Sequence, residues 1–250
     1  MQYKEIIIQA SVQGKTVELP ICGGADNSTV KYINDLYIYI KIKSMKKEEN
    51  GRKSFKTRSE EIKMNEVLKT MAKRSSARAY TDEKLTDNEI KALITAALQA
   101  PTARNMQEVH VSVVDGDNPI LKEIDTLCKS GMIANSPDEE TKARIESNPN
   151  NFYYGAPTVF ILSADKDFKW SKLDSGIAAE NISLAAESLG LGSLIIGIID
   201  DTLRGEKKDY FAKVLHFPEN FEFAIAVAAG HKNTEKEPHK IDFDKSVSFV

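Results

Sequence analysis

From residue 64 onward, helix-period and strand-like apolar segments alternate along the chain, and this alternation confines the fold to the mixed α and β class. Val67, Leu68 and Met71 stand at helical spacing. Thr86-Asp87-Asn88-Glu89 forms a capping box ahead of Ile90, Leu93, Ile94, Ala97 and Leu98, which share one helical face, and Pro101 follows the end of that helix. Val109, Val111 and Val113 alternate with polar or smaller residues as in a strand. Asn118-Pro119 then opens a helix carrying Ile120, Leu121, Ile124, Leu127 and Cys128, and Ser136-Pro137 predicts the start of another. Residues 158–163 read as a buried strand, 171–189 as an Ala-rich helix, 194–199 as a strand, 201–215 as a helix and 223–229 as a final strand. No internal repeat interrupts this order.

The chain changes character before residue 64. Residues 1–63 carry 12 Lys/Arg against 8 Asp/Glu, whereas residues 64–250 carry 22 against 29, so the two parts have opposite net charge. Residues 41–63 are nearly devoid of apolar side chains and contain Lys46-Lys47-Glu48-Glu49-Asn50-Gly51-Arg52-Lys53, the composition of a solvated linker. This predicts a basic N-terminal extension over residues 1–63 and a packed domain over 64–250. Within the extension, residues 6–19 fit a short hairpin around Gln13-Gly14, while residues 30–42 are apolar without a clean period. A poorly packed extension, a small added subdomain and a functional basic arm all fit that pattern.

Composition removes several function classes. The apolar fraction of 41% supports a sizeable core, and the net charge of −3 gives no general attraction to nucleic acid or anionic membrane. Cys22 and Cys128 are the only cysteines, so a disulfide framework or a four-cysteine iron–sulfur cluster is not expected, and a reducing cytoplasm fits. No apolar run approaches the roughly 20 residues that span a bilayer. His110, His216, His231 and His239 lack metal-ligand spacing, and Asp174 and Glu180 stand too far apart to form a paired-carboxylate site on one helical turn. Neither a metal nor a catalytic triad is expected.

Two polar clusters carry chemistry instead. Arg74-Ser75-Ser76-Ala77-Arg78 sets two guanidiniums around hydroxyls, which suits the charge-assisted hydrogen bonds of a phosphate monoester, although an exposed basic turn has the same composition. Pro101-Thr102-Ala103-Arg104-Asn105-Met106-Gln107 is rich in amides that match the polar edge of a heterocycle, or it is an ordinary loop after a helix. Gly190-Leu191-Gly192 is no dinucleotide fingerprint, because it leaves a helix and enters a strand, and Gly190 reads as a helix C-terminal residue with positive φ. Phe152, Tyr153 and Tyr154 read as packing residues, with a cleft border as the alternative.

In this order, residues 72 to about 230 resemble the FMN-dependent nitroreductase family. The matching pieces are Lys73-Arg74-Ser75-Ser76-Ala77-Arg78-Ala79-Tyr80, Ala100-Pro101-Thr102-Ala103-Arg104-Asn105-Met106-Gln107, Tyr154-Gly155-Ala156-Pro157-Thr158 and Asp174-Ser175-Gly176-Ile177-Ala178-Ala179-Glu180-Asn181 leading to Leu189-Gly190-Leu191-Gly192-Ser193. The resemblance implies an α+β, three-layer fold with a central, mostly antiparallel sheet flanked by helices, and a homodimer with flavin sites at the interface. It implies FMN phosphate and ribityl contacts from Arg74, Ser75 and Arg78, contacts to the partner's flavin from Pro101, Thr102, Asn105 and Gln107, and backbone approach to the ring at Ile196 and Gly197. In the tail, Lys236 and His239 are the candidates for closing the phosphate site, with Lys240 beside them; a neutral His is the weaker phosphate partner, so use of His239 implies tighter FMN binding at acid pH. Gln107-Glu108-Val109 stands where the family often has Gln-Pro-Trp, so this chain lacks both the proline and the aromatic residue there. The implied activity is ping-pong transfer of reducing equivalents from NADH or NADPH through FMN to a nitroaromatic, quinone or similar acceptor. A flavin-binding storage or regulatory protein and a related flavin oxidase or dehydrogenase are the alternatives.

Overall fold

A computed structural model describes residues 5–12, 15–20, 37–43, 64–237 and 242–246. The chain divides into two compact units, Met1–Lys69 and Thr70–Val250. The first contains β1 (Glu5–Val12), β2 (Lys15–Pro20) and β3 (Tyr37–Lys43) in an antiparallel sheet of order β2-β1-β3. Val12 pairs with Lys15 and Ile8 with Leu19, the register of the expected hairpin, and Ile8 also pairs with Ile40. Helix α1 (Glu66–Lys73) spans the boundary between the units, and Asn65 Oδ1 accepts the Leu68 N–H at its start.

The second unit is built on an antiparallel sheet of order β4-β5-β7-β6, formed by β4 (Val109–Asp115), β5 (Thr158–Asp165), β6 (Gly192–Ile196) and β7 (Phe221–Gly230). Around it lie α2 (Asp87–Leu98), α3 (Pro119–Ala134), α4 (Glu139–Glu146), α5 (Ser171–Ser188), α6 (Asp200–Arg204) and α7 (Lys208–Val214), with α8 (Phe243–Ser246) in the tail. Strand β5 is buried along nearly its whole length because both sheet faces are covered. On one face Val159, Ile161, Ala226 and Ala228 pack with Leu121 and Ile124 of α3, Leu203 of α6 and Phe211 of α7. On the other, Phe160, Leu162, Val227 and Ala229 pack with Leu93 and Ala97 of α2 and Ala178, Ile182 and Ala186 of α5. The strict change of face at successive residues is the two-residue period of a strand, and it yields the three-layer α+β architecture. Each fully buried Leu, Ile or Phe contributes about 1.5–3 kcal/mol of transfer free energy to that core.

Local chemistry sets most element ends. Thr86 and Glu89 exchange the hydrogen bonds of a capping box, and Asn118 Oδ1 accepts the Ile120 N–H at 3.0 Å ahead of Pro119. Helix α5 ends in a Schellman motif: Leu191 N–H donates to Ala186 O and Gly190 N–H to Glu187 O, with Gly190 at φ 76°.

Three expected boundaries shift. Ser136 does not open α4; its hydroxyl donates back to Met132 O, and Asp138 caps the helix by accepting from Thr141 N–H at 2.7 Å. Strand β6 runs over Gly192–Ile196 rather than 194–199, because Asp200 N–H already closes a turn on Gly197 O. The helix expected over 201–215 is two helices, broken where Gly205 turns extended at ψ −152°. Phe152 is buried in the core, with Tyr153 and Tyr154 packed against it. Among the described residues no helix is long and apolar enough to cross a membrane.

Candidate functional site

The segment between α1 and α2 is stitched to two neighbours. Ala77 N–H donates to Ser193 O at 2.9 Å and Ser76 makes a parallel bridge with Ser193, so the segment extends edge strand β6. Tyr80 bridges Lys232, Thr81 N–H donates to His231 O at 2.9 Å, and Asn233 N–H donates to Ala79 O at 3.0 Å, which ties the same segment to the tail leaving β7. Gly192 permits this approach: a Cβ there would lie 2.7 Å from Ala77 Cβ and 2.9 Å from Lys232 Cβ, closer than real Cβ atoms come.

The three chain segments and the end of α5 enclose a cavity of about 310 Å³. Its cations are Arg78, Lys232 and Lys236, its hydroxyls come from Ser75, Ser76 and Thr234, and its acids are Glu187 and Glu235. Lys232 is held in place, with Nζ 3.3 Å from Glu187 Oε1 and 3.3 Å from Glu235 Oε2. Arg78 lies over the Tyr154 ring, 5.9 Å from its centroid. Tyr80 donates its hydroxyl to Ala77 O at 3.1 Å, and burial pushes its phenol well above the usual range, so it stays neutral. Three cations and three hydroxyls thus line the cavity together with the two carboxylates, and charge-assisted donors of this kind are what an anionic group requires.

Of the residues marked from sequence, the cavity gathers Ser75, Arg78 and Lys236. Arg74 does not line it; its Nε is 3.6 Å from Glu180 Oε1 on α5. Ile196 has its side chain in the core at 3% exposure, which leaves only its backbone for a ligand, and Gly197 is exposed with ordinary space for a Cβ. The chain's own packing therefore does not demand glycine at 197. His239 lies outside the described residues.

Pro101, Thr102, Asn105 and Gln107 lie on a separate loop whose residues line no part of the cavity. A single 3₁₀ turn, Ala103–Asn105, follows Thr102. Thr102 Oγ1 accepts the Gln107 N–H at 3.0 Å, Thr102 O accepts the Asn105 N–H at 2.9 Å, and Gln107 Nε2 donates to Asn105 Oδ1 at 3.2 Å. These bonds leave Asn105 Nδ2 and Gln107 Oε1, one donor and one acceptor, without a hydrogen-bond partner among the described residues. Among those residues no cluster of three His, Cys, Asp or Glu side chains is poised for a metal.

The nitroreductase family model matches residues 71–231, which contain every strand of the four-stranded sheet and both polar clusters. The chain belongs to the nitroreductase family. A nitroreductase with bound FMN from Desulfitobacterium hafniense DCB-2 has a similar structure at TM-score 0.67 and 32% identity, over 75% of this chain and 99% of that one. A nitroreductase with bound FMN from Bacteroides fragilis NCTC 9343 reaches TM-score 0.66 at 29% identity, over 75% of this chain and 100% of its own. In sequence, an FMN reductase (NADPH) from Bacillus subtilis strain 168 is 29% identical over 183 residues, 67% of this chain and 66% of that protein.

Within this member of the nitroreductase family, sequence reasoning missed Lys232, Glu187 and Thr234 as lining residues of the cavity, and it placed Ser76 in the polar cluster but not among the implied contacts. Ser76 is legible beside Ser75 in the cluster over residues 74–78. Lys232 and Glu187 lie 45 residues apart and meet where Gly230, at the end of β7, pairs with Gly192, just past the end of α5.

Proposed function

We propose that the chain is an FMN-dependent oxidoreductase that carries reducing equivalents from NADH or NADPH to a nitroaromatic, quinone or similar small oxidised acceptor, in two alternating half-reactions. The observation that carries this reading is the cavity that places Arg78, Lys232 and Lys236 with Ser75 and Ser76 around space for a phosphate. Bound FMN would supply the redox chemistry, taking a hydride equivalent at N5 and passing it on. The chain's residues bind and orient. Arg78 and Lys236 would meet phosphate oxygens directly, and Lys232 would exchange its exposed partner Glu235 for the phosphate while keeping Glu187. Ser75 and Ser76 would donate their hydroxyls. Arg74, paired with Glu180, would act from the cavity's margin.

The separation of the 101–107 loop from the cavity supports a homodimer, in which Asn105 Nδ2 and Gln107 Oε1 reach the polar ring edge of the neighbouring subunit's flavin. Exposed Met71, Leu98, Met106, Leu173 and Ile198 of the second unit supply apolar area for such an interface.

The test is the visible spectrum of the purified full-length protein before and after anaerobic NADH and NADPH. Flavin absorbance that bleaches with either donor and returns on addition of a quinone or nitroaromatic is expected. Protein that takes up no FMN would overturn the reading, and a yellow protein that never bleaches would mark a flavin-binding protein without turnover.

A further inference from the structure

Beside the 101–107 loop lies a buried pair of acids that the proposed reaction does not use. Glu108 follows the loop directly; it is 7% exposed, and neither of its carboxyl oxygens has a well-formed hydrogen bond from another residue among the described residues. Asp174, on α5, is 2% exposed, and its Oδ2 accepts the Ala103 N–H at 2.8 Å. The group in hydrogen-bonding reach of Glu108 is the Asp174 carboxyl itself. Two carboxylates are both acceptors, so a bond between them exists only when they share a proton.

Among the described residues no other side chain offers a substitute for that proton, and the one backbone donor nearby is the N–H of Glu108 itself. The other charged group acting on Glu108 is Asp165 at the end of β5, again an acid, and no ion pair reaches Glu108 or Asp174 among the described residues. His110, two residues along β4, lies instead 3.5 Å from Ser163 Oγ, and burial together with His216 lowers its own pKa. Burial is the largest effect and, together with the neighbouring acids, raises the Glu108 carboxyl above its ordinary range against the opposing pull of its own backbone N–H.

The loop needs external support. Arg104, Asn105 and Gln107 have φ of 58°, 54° and 53°, a left-handed conformation that costs a side-chain-bearing residue about 1–2 kcal/mol. Its internal bonds join Thr102, Ala103, Asn105, Met106 and Gln107 to one another, and among the described residues the bond that fastens it to a distant element is the one from Ala103 to Asp174. We infer that Asp174 and Glu108, sharing one proton, are positioning residues that hold the 101–107 loop in its strained shape, and that losing the proton loosens it. The consequence for flavin rests on the proposed function; the consequence for the loop does not.

The sign follows from linkage. A carboxyl whose pKa is higher in the folded protein keeps its proton there while the unfolded chain loses it, so stability is full at acid pH. It declines as pH climbs from the ordinary carboxylate value through the raised one.

Glu108→Gln replaces the shared proton by a permanent amide donor. Thermal melts of the flavin-free full-length protein should show Glu108→Gln and wild type nearly equal at about pH 5, with the variant higher by several degrees at about pH 8.5. Asp174→Asn, which keeps an oxygen for Ala103 and adds a donor toward Glu108, should remove the same pH dependence and serves where the first variant does not fold. The ratio of wild-type to variant FMN dissociation constants should rise at least about fivefold over that range; any titration of His239 is common to both proteins and cancels. Melting curves and dissociation constants that keep a constant offset from pH 5 to 8.5 would overturn the inference. FMN binding by neither protein would overturn the proposed function, and the melts would still decide the acid pair.

Discussion

Lys232 sits between Glu187 and Glu235 with 17% of its side chain exposed, while the Glu187 side chain is 11% exposed and Glu235 82%. The two pairs are therefore unequal. Contact with exposed Glu235 is screened by water and worth little, whereas the Glu187 carboxylate depends on the ammonium for its burial. A phosphate entering the cavity displaces the weak partner and leaves the strong one. Lys232→Ala should weaken FMN binding by about tenfold or more, the usual worth of one charge-assisted hydrogen bond, and should lower stability by about 1–2 kcal/mol through the stranded Glu187. Adding Glu187→Gln should restore the stability and not the affinity. Flavin-fluorescence titration and thermal melts of both variants separate the two effects; equal recovery of both quantities in the double variant would refute this division of roles.

At the scale of elements, α2 carries Leu93 and Ala97 into the core, accepts Asn181 Nδ2 at Ala96 O, and delivers the chain to the 101–107 loop. Its start rests on Thr86, which accepts the Glu89 N–H at 3.3 Å while the Glu89 carboxylate accepts the Thr86 N–H at 2.7 Å. Those bonds hold the Glu89 carboxyl below its ordinary range, so they stabilise the fold above that range and are lost as pH falls through the lowered value. Thr86→Ala should cost about 1 kcal/mol at neutral pH and less in acid, with the FMN dissociation constant unchanged. Melts at about pH 7 and pH 3.5 check both the size and the sign. This element also shows what the sequence can tell. Thr86, Asn118 and Gly190 announce element ends because each acts on backbone groups within a few residues. The break at Gly205 was hidden because the apolar pattern runs through it, and the true cap at Asp138 because Ser136-Pro137 offers an equally good local signal. In the site, Ser75 and Arg78 were legible as neighbours in one motif. Lys232 with Glu187, and Glu108 with Asp174, pair across 45 and 66 positions, and only the sheet order brings such residues together.

At the scale of the whole molecule, the opposite charges of residues 1–63 and 64–250 coincide with a division of labour. Every residue of the cavity, both core clusters and the family match at 71–231 belong to the second unit, and the first unit has a sheet of its own. A cut before Met64 preserves Asn65, whose side chain accepts the Leu68 N–H and closes the start of α1, so the helix leading into Arg74 keeps its first turn. It also removes the whole basic surplus of the chain and leaves a domain of net charge −7. We propose that residues 64–250 form the complete flavin-binding domain. The truncated protein should then bind FMN in the same ratio per chain, with a dissociation constant within about twofold of full length, because every residue that lines the cavity lies within 64–250. Its melting temperature should change by no more than a few degrees, since both apolar clusters found among the described residues, around β5 and β7, are retained whole. A loss of flavin with the melting temperature intact would make the N-terminal unit a basic arm serving the site, and a joint loss of both would make it part of the same folding unit.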